Sequence, residues 1–394
     1  MGTGNVSIAK TLEENGYVVR LCSFNALDSY LGFPSLPFTF LETSAGITDL
    51  ARFVDDLRFP GMDIADGASD TGGWRWYFRC RYEGEAAPNS SFNLLSLVQD
   101  YKTKRFYDAS GIYPLIRSLR KALEKKESFK IDWWEDLCPQ AGCFQTLMDG
   151  ALVLARYEAL EYPPKSYIKA FNQINGKPGP EALQTLLIAL MASSRPDRGL
   201  EFLKTSGFLE NCWPEIARLD EADHAKEFHP EGNAWNHTLQ TFSHRKYNAA
   251  GEYDLRLSLA LLLHDIGKPL AAGFGGRRFD GHAEIGARAA ARFLESMEFP
   301  SELVNDVVYL VKNHMLPAAL ARLPLLKTEN IMSSPLFPSL MELYRCDESS
   351  SFKGLEGYYE NSAAYQAYLR NTKNPFRSID GKKLSHQKHR SYPR

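Results

Sequence analysis

The chain has 394 residues, of which 44% are apolar and 24% charged, and its formal net charge is −2. This length allows two or three domains with a sizeable core. The net charge is close to zero, which excludes binding of nucleic acid through the overall charge alone. Six cysteines without CxxC spacing argue against a thiolate zinc site and indicate a reducing cytoplasm. The start lacks the regions of a signal peptide, and apolar stretches such as residues 183–192 are too short to span a bilayer, so we expect no membrane partner.

The sequence divides into regions that differ in their predicted secondary structure. Residues 1–110 carry short β-like runs at 17–22, 74–81 and 92–98, which predict a small mixed α/β head. Residues 111–220 show helical spacing of apolar side chains behind Ser110, a predicted N-cap, and form a predicted helical neck. We expect an all-α domain over 221–370 and a basic, disordered tail over 371–394. The predicted fold class is therefore α+β.

Two polar residues directly follow a predicted buried helix. Residues 255–263 are almost continuously apolar, and His264 and Asp265 follow directly. Burying an imidazole beside a carboxylate is costly unless both have partners. A divalent cation provides one, because imidazole nitrogen and carboxylate oxygen are both good ligands for borderline metals. We therefore predict a metal centre at His264 and Asp265.

Four further candidate ligands each lie on a predicted helix of their own: His237, His282, His314 and Asp347. Any one of them alone is better explained as a surface or capping residue. As an ordered set around a buried His-Asp pair, they predict a centre for one or two divalent ions. The ligand types leave Mn, Fe, Ni, Mg and Zn open, because selectivity depends on geometry and supply.

Residues 264–269, His-Asp-Ile-Gly-Lys-Pro, resemble the core of the HD superfamily of metal-dependent phosphohydrolases. Residues 229–239, 279–287 and 312–315 are similar to the HD domain of bacterial tRNA nucleotidyltransferase/poly(A) polymerase proteins. The resemblance identifies 221–370 as an HD domain and 1–110 as a nucleotidyltransferase-like head. It covers roughly 120 residues around the His-Asp pair, and its ordered motifs make it more specific than a lone pair.

The resemblance also implies roles for single residues. His237, His264, Asp265 and Asp347 would bind one metal, while His282 and His314 would complete a second position bridged by Asp265. Paired cations can activate water and neutralise phosphoryl oxygens together. The predicted catalytic residues are Asp265 and Lys268, and the candidate phosphate-binding residues are Lys268, Arg277 and Arg278.

The head resembles the same family but lacks most of its motifs. Residues 15–32 match the segment that carries Gly-Gly-x-Val-Arg-Asp, yet only Asp28 and Gly32 remain. The family's Asp-x-Asp aligns with residues 37–39, Pro-Phe-Thr. Because nucleotidyl transfer needs carboxylates to hold its metal ions, the sequence predicts a head without nucleotidyltransferase activity.

The predicted function is therefore an HD-type phosphohydrolase, a phosphodiesterase or phosphatase acting on nucleotide or RNA-end phosphoesters. One alternative is a tRNA- or RNA-binding relative of the nucleotidyltransferases without catalysis, suggested by the altered head and the basic tail. Another is an HD-type di-iron oxygenase, since the order of ligands resembles that class too. tRNA is a candidate partner, and a homodimer is compatible with the sequence.

Overall fold

The computed structural model describes residues 7–81, 92–133, 144–169, 177–222, 232–248, 251–271, 279–351, 354–374 and 377–382. The chain divides into two compact units. The first comprises residues 1–218, 245–258 and 292–301, and the second comprises 219–244, 259–291 and 302–394. No described helix is long and apolar enough to cross a membrane. The finer division into head, neck, HD domain and tail stays a prediction.

The strands, numbered in chain order, are β1 Val19–Leu21, β2 Phe38–Thr43, β3 Gly67–Ser69, β4 Arg75–Cys80, β5 Val98–Asp100 and β6 Phe106–Tyr107. The helices of the first half are α1 Ser7–Glu14, α2 Ser23–Leu31, α3 Ile47–Leu50, α4 Tyr113–Lys125, α5 Phe144–Arg156, α6 Lys165–Lys169, α7 Pro180–Met191, α8 Pro196–Thr205, α9 Phe208–Cys212 and α10 Pro214–Ala217. Those of the second half are α11 Ala234–Thr241, α12 Leu255–Leu263, α13 Lys268–Ala271, α14 His282–Glu295, α15 Ser301–Asn313, α16 Leu325–Met332, α17 Phe337–Ser349 and α18 Glu356–Thr372.

The strands form one six-stranded sheet in the order β3-β4-β2-β1-β5-β6. β2 and β4 run parallel, with Phe40 opposite Tyr77, and the other neighbouring pairs are antiparallel. Apolar residues of α1 and of the sheet pack into a core that includes Leu12, Leu41 and Phe78. The sheet confirms the mixed α/β character predicted for the head.

Two local predictions in the head and neck are wrong. Residues 92–98 were expected to form a strand, but they contain the 3-10 helix Asn93–Leu95, and the strand begins only at Val98. Ser110 does not cap α4. Instead the carboxylate of Asp108 accepts the backbone N–H groups of Ile112 and Tyr113 at 2.9 and 2.7 Å. The N-cap pattern predicts a polar residue directly before the helix, whereas Asp108 lies five residues before Tyr113. The sequence pattern therefore did not indicate Asp108.

α5 is the most deeply buried helix of the first unit, because residues 145–156 are all buried. Its charged residues are paired, and Asp149 accepts a hydrogen bond from the Gln145 amide at 2.8 Å. Arg156 forms a bidentate ion pair with Asp28 of α2, with nitrogen–oxygen distances of 3.1 and 2.7 Å. The hydroxyl of Tyr157 donates to the same carboxylate at 2.8 Å. This network links the sheet region to the helical region within one unit.

Candidate metal centre

Five helical elements bring the six predicted ligands close together, and five of the six line one cleft in the second unit. His237 lies within α11, and His264 and Asp265 follow the end of α12. His282 begins α14, His314 follows α15, and Asp347 lies within α17. α11 begins where the side chain of Asn233 accepts the backbone N–H of Asn236, as a Ser, Thr, Asp or Asn cap does.

Two glycines allow the His-Asp turn to approach the start of α14. A Cβ atom added to Gly267 would lie 2.1 Å from the carbonyl oxygen of His282 and 2.5 Å from the backbone nitrogen of Gly286. No side chain fits in that space, so glycine is required at position 267. The close approach brings His282 to the neighbourhood of Asp265.

The ligand atoms form two groups that share Asp265. One contains His237, His264 and Asp265, the other contains Asp265, His282 and His314, and within each group the ligand atoms lie within 4.8 Å of one another. Asp347 joins the first group through its Oδ1, which lies 2.8 Å from Nε2 of His237. The structure thus brings together all six residues that the sequence singled out, around one carboxylate.

Three of the four histidines have their tautomers set by the backbone. Nδ1 of His264, His282 and His314 lies 2.9, 2.8 and 2.7 Å from the carbonyl oxygen three residues earlier. A carbonyl only accepts, so each neutral ring donates from Nδ1 and its Nε2 carries a lone pair. Such hydrogen bonds orient metal-binding histidines in known metal sites.

The arrangement of the Nε2 atoms of these rings favours a bound cation between them. Nε2 of His282 and of His314 lie 3.2 Å apart, so two lone pairs face each other. Nε2 of His264 is buried without a hydrogen-bond partner among the described residues, and it lies 3.4 Å from an Asp265 oxygen. A divalent ion would relieve the lone-pair repulsion and supply the missing partner. The donor set therefore fits a metal ion.

The pKa shifts favour the metal-binding protonation states of two histidines and of both aspartates. Burial lowers the pKa of His282, and burial together with the neighbouring His264 lowers the pKa of His314 to about 4. Burial alone would raise the pKa of Asp265, but His264 and Lys268 lower it well below the ordinary value. Burial alone would also raise the pKa of Asp347, but the hydrogen bond from His237 and the charges of His237 and His264 together lower it. Neutral imidazole and ionised carboxylate are the forms that bind metals.

These shifts predict that acidification destabilises the metal-free protein. An unfolded histidine has a pKa near about 6.5, whereas that of folded His314 is about 4. Between these values the unfolded state binds more protons, so stability is present above about pH 6.5 and is lost as the pH falls toward 4. We expect urea unfolding of chelator-treated protein to show a loss of about 1–3 kcal/mol between pH 7 and pH 4.5.

His244 serves as the comparison for this titration, because burial and Arg345 lower its pKa as well. It lies outside both ligand groups. His314→Gln should flatten the pH dependence more than His244→Gln does. An equal slope in wild type and His314→Gln would contradict the assignment.

Lys268 and the cleft complete the centre. Nζ of Lys268 donates to Asp265 Oδ2 at 2.6 Å, and both residues line the cleft. The cleft has a volume of about 730 Å³ and is also lined by Lys312 and Asn313, which the sequence did not single out as functional residues. Their position directly before His314 was the available signal. Arg277 and Arg278 lie outside the described residues.

The segment that resembles the family's Asp-x-Asp, residues 37–39, lies at the start of β2, where aromatic rings are buried. Phe38 and Phe40 of β2 and Tyr77 of β4 are all at most 5% exposed. The ring centroids of Phe40 and Tyr77 lie 5.0 Å apart, and the Tyr77 hydroxyl is hydrogen-bonded to Thr185. Thr39 accepts from the indole of Trp74. Positions 38–40 of β2 therefore carry no carboxylate.

Comparison with known proteins identifies a domain family and a class of relatives. Residues 235–340 match the family model of the HD domain, which includes five of the six ligands and ends before Asp347. The chain contains an HD domain and is homologous to tRNA nucleotidyltransferases.

Three relatives illustrate this homology. The chain is 35% identical over 187 residues to the CC-adding tRNA nucleotidyltransferase of Thermus thermophilus, covering 45% of this chain and 41% of the relative. It is 32% identical over 136 residues to the multifunctional CCA protein of Halorhodospira halophila, covering 34% and 32%. It is 31% identical over 147 residues to the A-adding tRNA nucleotidyltransferase of Deinococcus radiodurans, covering 36% and 33%. The matches thus span less than half the length of these curated relatives.

A solved structure shares the fold along most of the chain. The CCA-adding enzyme of Bacillus stearothermophilus in complex with CTP superposes with a TM-score of 0.50 at 14% identity. The superposition covers 93% of this chain and 82% of that chain. This confirms the predicted fold class, a mixed nucleotidyltransferase-like head followed by helices with an HD domain.

The predicted enzyme class is wrong. The sequence predicts an HD-type phosphohydrolase in which nucleotidyltransferase activity is absent. Its curated homologues are CC-adding, A-adding and multifunctional CCA proteins, so the relation favours nucleotidyltransferase-family function over hydrolysis. The prediction that this activity is absent rested on the altered motifs of the head, and the homology overturns it.

Proposed function

We propose that this protein binds tRNA as a nucleotidyltransferase-type protein, and that its HD domain holds one or two divalent metal ions. The observation that carries the first part is the 35% identity over 187 residues to a CC-adding tRNA nucleotidyltransferase. The shared fold with a CCA-adding enzyme over 93% of the chain supports it. A location in the reducing cytoplasm remains part of the proposal and rests on the cysteine pattern.

The metal part of the proposal rests on chemistry within the HD domain. His237, His264 and Asp347 would hold one ion, His282 and His314 the other, and Asp265 would bridge them. Its support is the shared carboxylate, the facing Nε2 atoms of His282 and His314, and the buried Nε2 of His264. Bound ions would place positive charge in the cleft beside Lys268, where a phosphate of the RNA backbone could lie.

Filter binding of labelled tRNA to the full chain tests the first part. We expect saturable binding that weakens steeply between about 50 and 200 mM salt, because neutralising several phosphates releases counterions. An RNA duplex of equal length and charge is the matched competitor. Equal affinity for tRNA and duplex, or no saturable binding, would overturn the proposal.

A second assay asks whether binding leads to catalysis. Labelled CTP and ATP are incubated with tRNA that lacks its 3′ end, and incorporation is measured with and without divalent metal. Incorporation would extend the proposal from recognition to nucleotide addition. The same assay with Asp265→Ala would then show whether the HD centre takes part.

A further inference from the structure

Residues 100–121 of the first unit are basic, unlike the chain as a whole. They include six basic and two acidic residues, a net charge of +4, whereas the formal net charge of the whole chain is −2. All six basic side chains are exposed: Lys102, Lys104, Arg105, Arg117, Arg120 and Lys121. None of them lines the cleft of the candidate metal centre.

Three of these residues lie in a turn at one edge of the sheet. The turn joins β5 to β6, which pair antiparallel, and β6 is the last strand of the sheet. The Asp100 carboxylate accepts the backbone N–H and the hydroxyl of Thr103, both at 2.7 Å. The backbone N–H of Lys104 donates to the carbonyl oxygen of Asp100 at 3.0 Å. Lys102, Lys104 and Arg105 therefore lie on a turn whose backbone is held by hydrogen bonds.

Helix α4 places two arginines beside the same edge. The guanidinium of Arg120 lies 5.8 Å from the ring centroid of Tyr30, and that of Arg117 lies 5.7 Å from the centroid of Tyr113. The ring of Tyr30 packs edge-on against Phe106 of β6, with centroids 5.2 Å apart. These contacts connect α4 with β6. The turn and the helix thus form one surface, the basic edge, which consists of Lys102, Lys104, Arg105, Arg117, Arg120 and Lys121.

Carboxylates offset only part of the charge of the basic edge. Asp100 is hydrogen-bonded within its own turn, and Asp108 accepts backbone N–H groups at the start of α4. Glu124 lies 3.1 Å from Nε of Arg120, but both side chains are at least 50% exposed, so solvent screens this pair. Glu13 of α1 interacts electrostatically with the turn as well. A positive excess remains, and it suits a polyanion.

The composition of the basic edge favours an RNA backbone over an anionic membrane. Half of its six residues are arginines, whose planar guanidinium matches a phosphate group with two hydrogen bonds. Segments that bind a membrane surface combine basic residues with large apolar side chains that enter the bilayer. Among the described residues 100–121, Tyr107 is the only exposed large hydrophobic side chain, at 47%. Phosphates of RNA therefore fit this surface better than a lipid bilayer does.

We propose that the basic edge binds phosphates of an RNA backbone and so provides a contact surface in the first unit apart from the metal centre. The inference rests on the proposed tRNA function for the identity of the RNA. Phosphate contacts fix the position of a nucleic acid without reading its bases. The basic edge would thus orient the RNA on the protein, whatever the sequence of the bound segment.

The test is the salt dependence of RNA binding by the full chain, measured by filter binding with tRNA and with a plain RNA duplex. The turn variant combines Lys102→Gln, Lys104→Gln and Arg105→Gln. It should make the plot of log affinity against log salt concentration shallower by about 2–3, because each lost phosphate contact removes nearly one unit of slope. At about 100 mM salt, binding of both RNAs should weaken about tenfold or more.

The matched control combines Arg52→Gln, Lys165→Gln and Lys327→Gln, which removes three positive charges from exposed side chains outside the basic edge. It should leave the slope unchanged. All six replaced side chains are exposed, so circular dichroism is expected to show folded protein for both variants. Equal slopes in wild type and the turn variant, or equal losses in the turn variant and the control, would overturn the proposal.

The two RNAs separate this inference from the proposed function. Preferential binding of tRNA that the turn variant leaves intact overturns the basic edge alone. Equal affinity for tRNA and duplex, weakened in the turn variant, supports the basic edge and overturns the tRNA function. Absence of binding to either RNA overturns both. Polyglutamate that competes as strongly as the duplex would favour an acidic protein partner and overturn the assignment to RNA.

Discussion

Replacing Arg156 with alanine is expected to lower the free energy of unfolding by about 3–5 kcal/mol, the usual cost of removing one partner of a buried ion pair. The Asp28 side chain is 0% exposed and that of Arg156 is 4% exposed. Without the guanidinium, the Asp28 carboxylate would remain buried with the Tyr157 hydroxyl as its nearest donor. The carbonyl oxygen of Pro34 would also lose a hydrogen bond from Arg156, at present 2.6 Å long.

Two variants test this explanation. Asp28→Asn combined with Arg156→Met removes both charges, keeps an acceptor for Tyr157 and should cost less than Arg156→Ala alone. Arg195→Ala removes one partner of the Arg195–Asp197 pair, in which the arginine side chain is 42% exposed, and should cost about 0–1 kcal/mol. Urea titrations at pH 7 measure all three. A cost below about 1 kcal/mol for Arg156→Ala would contradict the argument.

The same network shows what the sequence could and could not predict in the head. Asp28 was recognised as a remnant of the family motif, but its partner Arg156 lies 128 residues away and no periodicity connects them. The packing of β2 was not predicted. The resemblance places residues 37–39 opposite the family's Asp-x-Asp, and the structure shows Phe38 and Phe40 packed against Tyr77. Residues two apart lie on the same face of a strand, but the partner strand β4 begins more than 30 residues later, so no local pattern connects these rings.

The His264-Asp265 pair was the most predictable part of the candidate metal centre, for a physical reason. Both residues follow the largely apolar helix α12, so their burial is evident in the sequence. Gly267 adds a second local signal, because the close backbone approach at this position requires glycine. The other four candidate ligands are not conspicuous one by one, since helices such as α11 and α17 are not continuously apolar. Only their order around the buried pair indicated them.

Asp265→Ala is expected to abolish stable metal binding, which is the largest effect that we predict for the HD domain. Asp265 is the one residue that both ligand groups share, and its carboxylate would offset positive charge at both positions. Removing it would leave His282 and His314 as the described ligands of one group. Second-shell changes alone typically lower metal affinity by about 10–100-fold, so losing a shared ligand should lower it by about 100-fold or more.

Elemental analysis after dialysis measures this directly. Wild type should retain one or two divalent ions per chain, and Asp265→Ala should retain only traces. Asp280→Ala is the matched control, because Asp280 lines the same cleft outside the two ligand groups and should leave the metal content unchanged. In thermal unfolding, metal at about 100 times its dissociation constant should stabilise wild type by about 2.7 kcal/mol and leave Asp265→Ala nearly unaffected. Equal metal content in wild type and Asp265→Ala would show that Asp265 is not a ligand, even if the variant is less stable.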